Sequence, residues 1–329
     1  MSADTREAVW DTAAALERLA SLARIDTTLL VTDFATRDPA VSGTLSRVEV
    51  LLTGWGCPPL TGRALARMPR LRAVIHAAGS VKHHLTAQAW ERGLAVSTAA
   101  AANALPVAEF TLAAILFSGK RVLAGAHAYR IRRAQVDLLA RFPDAGNYRR
   151  TVGVVGASLV GRRVLELLRG FDLDVLLHDP YVGAREARVL GAEAVALDEL
   201  ARRSDIVTLH APELPSTHRM FDAARLSLLR DGATLVNTAR GSLVDTEALT
   251  KELVAGRLHA VLDHTDPLVL PADSPLYDLP NVLLTPHLAG SLGRELGRLA
   301  TSALDELDRY TRGEPFLHRV DPRTLAYSA

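Results

Sequence analysis

A chain of 329 residues, 48% hydrophobic and 23% charged, exceeds one ordinary domain and can bury a sizeable core, so two globular domains are expected. Its 38 Lys and Arg against 37 Asp and Glu leave a formal charge of +1 with no basic block, which argues against nucleic acid as a partner. Cys57 is the single cysteine, which excludes an intrachain disulfide and a thiolate metal cluster and makes the reducing cytoplasm the expected compartment.

The opening Met1–Glu7 is too charged for a signal peptide, and helical patterning follows, notably Thr12–Arg24. Val48–Leu52, Leu71–His76 and Leu94–Ser97 are apolar enough for strands, which implies a first α/β unit. His83 and His84 read as the polar start of a helix. Ala100–Ala104 is small and flexible, and Leu105–Lys120 predicts a long buried helix. Its apolar run Phe110–Phe117 ends at Lys120 and Arg121, short of a membrane span, so no membrane is expected.

From Thr151 onward, Val152–Val155, Val175–His178, Ile206–His210, Thr234–Thr238, Ala260–Asp263 and Val282–Thr285 read as buried strands separated by helices. That alternation predicts a doubly wound parallel sheet covered on both faces, a Rossmann-type α/β domain. The last helix, about Leu292–Gly313, returns to the first unit. The expected division is therefore 1–103 with 294–329 for one domain and 104–293 for the other.

Thr151–Arg162 runs strand, glycine turn, helix start, the order a pyrophosphate cradle requires. Gly156 permits the turn and Gly161 lets the helix pack on the strand. Ser158 stands where a middle glycine is usual, and its hydroxyl can itself donate to a phosphate; Leu159 and Val160 complete the loop. Asp179 follows Gly161 by 18 residues at the end of the next apolar strand, placed to accept both adenosine-ribose hydroxyls and to repel a 2′-phosphate. NAD is favoured over NADP, and no metal is implied.

Hydride transfer to a 2-keto acid needs a cation for the carboxylate and carbonyl and a proton donor at the carbonyl oxygen. Arg240 lies just beyond one buried strand and His287 beyond another. Together they disfavour other Rossmann enzymes such as methyltransferases.

With the glycine turn, Ala77–Ser80, Asn103 followed by Val107–Glu109, Ser204–Val207 with His210–Pro212, Thr238–Gly241 with Val244 and Asp245, Asp263 and Asn281–Gly290 make the chain similar to the D-isomer-specific 2-hydroxyacid dehydrogenases. The resemblance covers nearly the whole chain. It implies an NAD-dependent oxidoreductase acting on a small D-2-hydroxy acid, with a Rossmann NAD domain and a second, flavodoxin-like α/β substrate domain. It implies that Arg240 grips substrate, His287 is the acid–base, and Ala78, Gly79, Ser80 and Val81 receive the substrate carboxylate. Asp263 would hold the nicotinamide carboxamide. His210, Ala211, Pro212, Thr238, Ala239, Arg240, His287 and Gly290 would line the cofactor, and the helix near Val107 would form a homodimer interface.

The chain departs from the family in three places. The family places a glutamate five residues after the aspartate matching Asp263, where it hydrogen-bonds the catalytic histidine; here that position is Leu268. Asp266 is a surrogate carboxylate on one reading; on the other, the chain binds NAD with weakened turnover, as a regulatory protein. His264 stands where the family prefers an apolar residue. The amino terminus lacks the usual apolar strand, so the first domain is expected to miss an inner strand unless translation begins upstream.

Overall fold

Ala73, Val74 and Ile75 are at most 1% exposed, as a strand covered on both faces requires, and they form the centre of the first of two parallel sheets. The computed structural model describes residues 1–10 and 12–325, which divide into two units: Met1–Asn103 with the chain from Ser291 onward, and Ala104–Gly290.

In the first unit β1 (Val50–Thr53), β2 (Ala73–His76) and β3 (Ala95–Thr98) pair in that order, all parallel. Among the described residues no strand precedes β1. The expected helix Thr12–Arg24 is instead preceded by a second one: helices span Ala3–Trp10 and Ala13–Leu22, and the Thr12 hydroxyl caps the latter by accepting from Ala15 N. Val9, Trp10 and Leu19 from these helices pack with Ala73 and Ile75 and with Leu299, Ala303 and Leu307 of the helix Leu296–Thr311. Helical apolar surface thus covers one face of the sheet.

The outer edge of β3 is paired by the C-terminal segment: Val320 N donates to Val96 O at 2.8 Å, and Ser97 bridges Arg319 antiparallel. Glu306, 2% exposed, accepts the amide hydrogens of Leu317 at 3.1 Å and His318 at 2.8 Å, fixing that segment.

The long helix spans Ala100–Gly119, starting earlier than expected because the small residues 100–104 are helical. At 20 residues with a mean hydropathy of 1.6, it is long and apolar enough to cross a membrane by length and composition, contrary to the reading of Phe110–Phe117 alone. Ala104, Val107, Ala108, Thr111 and Ile115 are buried, whereas Glu109, Ala113 and Phe117, spaced four apart, form an exposed stripe.

The second unit is built on β4 (Arg150–Val155), β5 (Leu173–His178), β6 (Glu193–Ala194), β7 (Ile206–Leu209), β8 (Thr234–Asn237), β9 (His259–Leu262) and β10 (Val282–Leu284). All seven are parallel, in the order β10-β9-β8-β7-β4-β5-β6. The order in which successive strands are added to the sheet reverses between β4 and β7. In an open α/β sheet that reversal leaves a crevice at the carboxyl ends of the two strands, which is where ligands bind. Two apolar layers cover the sheet, one around Leu200, Leu209, Phe221 and Leu253, the other around Ile115, Val154, Val164 and Leu177.

Candidate active site

The glycine turn leaves β4 at the reversal point. Gly156 has φ +98°, and a Cβ there would lie 2.7 Å from Ala211 N and 2.8 Å from the carbonyl carbon of His210. Only glycine meets both demands. A Cβ on Gly161 would lie 2.0 Å from Gly156 O, so the second glycine is required by close helix–strand packing. Ser158 has φ −64° and ψ −179°, extended backbone open to any residue, and its hydroxyl accepts from Gly161 N at 3.3 Å to cap the helix Leu159–Leu168. The missing middle glycine is therefore explained: the serine trades conformational freedom for a cap at the helix amino terminus, the end whose free amides suit an anion. Leu159 is 55% exposed, while Val160 turns inward against the core.

Asp179, at the end of β5, accepts the amide hydrogen of Ala157 through Oδ2 at 2.7 Å and that of Tyr181 through Oδ1 at 2.8 Å. Each oxygen keeps lone-pair capacity for a further donor. Across the turn, His210 N donates to Val155 O at 2.7 Å, and the His210 ring lies 2.9 Å from the Thr208 hydroxyl through Nε2. Burial pushes the His210 imidazole down to about 3, which keeps it neutral. Pro212 O accepts the Thr217 hydroxyl at 2.7 Å, a contact that shapes the 210–214 turn and was not legible from spacing. A helix amino terminus, two glycines in contact with backbone and a carboxylate at the next strand end fit a dinucleotide.

The carboxyl ends of β8, β9 and β10 carry the remaining candidates. Asn237 Oδ1 accepts from Ala239 N at 3.1 Å and its Nδ2 donates to Arg240 O at 2.8 Å, so this side chain folds the 238–240 turn. Gly241 is a further requirement: a Cβ there would lie 2.1 Å from the Thr265 carbonyl. Arg240 is half-buried and its Nη1 donates to Ala239 O at 2.7 Å. The Thr238 hydroxyl meets that of Thr111 at 2.9 Å, tying the turn to the long helix.

Asp263 is 2% exposed and accepts from the Thr285 hydroxyl at 2.6 Å, Leu288 N at 2.8 Å and Ala289 N at 3.0 Å. Its carboxylate is thus the anchor of the loop that presents His287 and leads to Gly290. His287 is exposed, with φ +57°, an uncommon conformation for a non-glycine residue that the anchored loop maintains. The ring against it belongs to His264: centroids are 3.9 Å apart with planes inclined at 54°. His264 is 7% exposed and both its ring nitrogens lack a partner. Burial, then the His287 charge, push its imidazole down to about 4, with Asp263 opposing and Arg240 adding to the shift.

Leu268 is 59% exposed and Asp266 is exposed. Asp266 lines a cavity of about 420 Å³ with Arg219, Asp245, Thr246 and Ser274, none of them a candidate site residue.

In the first unit, Ala78 and Val81 are buried and Gly79 and Ser80 half-buried at the carboxyl end of β2; the Ser80 hydroxyl accepts from Lys82 N at 3.3 Å. His84 is 4% exposed, not a polar helix start: its ring lies 4.6 Å from that of His76 with the planes inclined at 36°, and its carbonyl accepts from Leu60 N at 2.7 Å. The His76 Nδ1 lies 2.8 Å from the Thr53 hydroxyl.

Residues 113–289 match the family described as D-isomer specific 2-hydroxyacid dehydrogenase, NAD binding domain. The chain is 32% identical over 253 residues to a D-3-phosphoglycerate dehydrogenase of Mycobacterium leprae, covering 76% of this chain and 47% of that protein. It is 30% identical over 260 residues to a glyoxylate reductase of Korarchaeum cryptofilum, covering 78% of each. A D-lactate dehydrogenase of Aquifex aeolicus, solved with NAD and lactic acid, superposes with a TM-score of 0.68 at 26% identity, covering 92% of this chain and 93% of that one. The chain spans about half the length of the phosphoglycerate dehydrogenases it matches.

Proposed function

Since the chain belongs to the D-isomer-specific 2-hydroxyacid dehydrogenase family and carries its NAD-binding domain, we propose that it is a cytoplasmic, homodimeric enzyme that interconverts a small D-2-hydroxy acid and its 2-keto acid. NAD supplies the hydride acceptor in oxidation and NADH the donor in reduction. The observation that carries the reading is the placement of Arg240, Asp263 and His287 at the carboxyl ends of adjacent strands β8, β9 and β10, in the sheet whose reversal point holds Gly156.

The planar Arg240 fork holds the substrate carboxylate and polarises the keto oxygen, a bidentate task that a lysine performs poorly. His287 gives its proton to that oxygen in reduction and takes it back in oxidation. Asp263 keeps the His287 loop in place. Gly156, Ser158 and Gly161 receive the pyrophosphate, and Asp179 the adenosine ribose. The exposed stripe of the long helix meets its copy in the dimer.

The test mixes the protein with NADH and a panel of small 2-keto acids and follows nicotinamide absorbance. Oxidation of NADH with at least one acid, lost in His287→Asn and Arg240→Lys, supports the reading. Tight NADH binding with no oxidation by any acid overturns it.

A further inference from the structure

We propose that His264 is a positioning residue for His287, holding by ring contact the imidazole that the family's glutamate holds by hydrogen bond. The proposal deepens the dehydrogenase reading and rests on it. The position that would supply the glutamate is Leu268, 59% exposed, and the nearby Asp266 faces a separate cavity. The group in contact with His287 is the His264 ring, at 3.9 Å between centroids.

That separation defines the contact. A ring nitrogen donating to another ring nitrogen would hold the centroids about 5 Å apart. At 3.9 Å and 54° the two rings touch by face and edge, and no proton passes between them. His264 follows Asp263 directly, while Asp263 anchors Leu288 and Ala289 on the far side of His287. One buried carboxylate therefore sets both backbones and brings the rings together.

The His264 ring makes no hydrogen bond, although the residue's carbonyl accepts from Asn237 Nδ2 at 3.5 Å: both ring nitrogens are unpartnered, and Nδ1 stays 3.7 Å from Asp263 Oδ2. A buried ring so placed acts as a wall. Burial keeps it uncharged above a pH of about 4. The wall limits rotation of the His287 ring, and proton transfer to a keto oxygen depends on that orientation.

The test compares His264→Ala, His264→Leu and His264→Phe in the full chain, with NADH and an accepted 2-keto acid. The proposal expects His264→Ala and His264→Leu to lower kcat by about tenfold while the NADH dissociation constant stays within about twofold, and His264→Phe to restore most of kcat. Leu fills the volume, so the comparison of Leu with Phe decides even if Ala fails to fold. The His287 Cε1–H resonance gives a second readout: a ring-current displacement present in the parent and in His264→Phe, and absent in His264→Leu. Equal kcat in all variants, equal loss in Leu and Phe, or a His287 resonance indifferent to position 264 overturns the proposal. A parent chain that turns over no 2-keto acid sinks the dehydrogenase reading instead, and the resonance then still reports whether His264 holds the ring.

Discussion

The Asp263 carboxylate lies 2.6 Å from the Thr285 hydroxyl and also accepts from Leu288 N and Ala289 N, so one side chain holds both ends of the turn that presents His287. Asp263→Asn would turn one acceptor oxygen into a donor that faces an amide hydrogen. A stability loss of about 1–3 kcal/mol is expected, the cost of a buried group left without its partner. Turnover should fall further than stability alone explains, because the histidine loses its loop geometry. Thermal unfolding and steady-state kinetics on the same preparation separate the two effects.

The Gly156→Ala variant should lose NADH binding altogether. Its Cβ would stand 2.7 Å from Ala211 N in a backbone of φ +98°, so the turn must open and carry the 210–212 segment with it. Ser158→Ala is the control. It leaves the turn's backbone free to fold while removing a helix cap, worth about 0.5–2 kcal/mol, and one hydroxyl donor toward the pyrophosphate, and should weaken NADH binding modestly. Fluorescence titration of NADH against each variant reads the contrast; equal affinity in Gly156→Ala and the parent would refute the cradle.

Under the proposed reading, Asp179 sets the choice between the two dinucleotides. Removing its charge in Asp179→Asn should weaken NADH by about tenfold and narrow the margin over NADPH, since a 2′-phosphate no longer meets a carboxylate. The amide oxygen can still accept from Ala157 N, and the exposed Tyr181 N, which loses its acceptor, can turn to water. Dissociation constants for both cofactors measure the margin, and an unchanged ratio would place ribose recognition elsewhere.

Stability should fall as the solution is acidified below neutrality. Burial pushes the imidazoles of His76 and His210 down to about 3 and those of His84 and His264 down to about 4, against an ordinary value of 6.5. Between 6.5 and those lower values the unfolded chain takes up protons that the folded chain refuses, so stability is complete above that window and declines as pH drops through it. The slope is about 1.4 kcal/mol per pH unit for each such group. Urea unfolding at pH 7.5 and 5.5 gives the comparison. Replacing His210 by an apolar residue that folds should flatten the dependence.

Strands β4, β7, β8 and β9 could be read from the sequence because each is a short apolar run buried on both faces over most of its length, whereas the two-residue β6, Glu193–Ala194, carries no such pattern and was not foreseen. Gly156 and Asp179 were legible for a related reason: a glycine turn and an acidic strand end each sit at a fixed distance along one chain segment. The contact of His264 with His287 was not. It joins two loops from different strands, and nothing periodic marks either ring. Asp263 was placed near the carboxamide by resemblance, yet its hydrogen bonds to Thr285, Leu288 and Ala289 depend on loop geometry that spacing does not encode. The first unit was harder still. His84 looked like a polar helix start because a histidine pair is polar in composition, whereas its ring is packed on His76.

The segment that runs beside β3 has a consequence for handling the protein. Val320 and Arg319 occupy the outer rim of that strand, and Glu306 pins the approach through Leu317 and His318. A bare strand rim offers unpaired amides and carbonyls to any passing chain. The 317–320 segment therefore shields that rim from strand-to-strand pairing, and trimming the chain ahead of Phe316 would lay it bare.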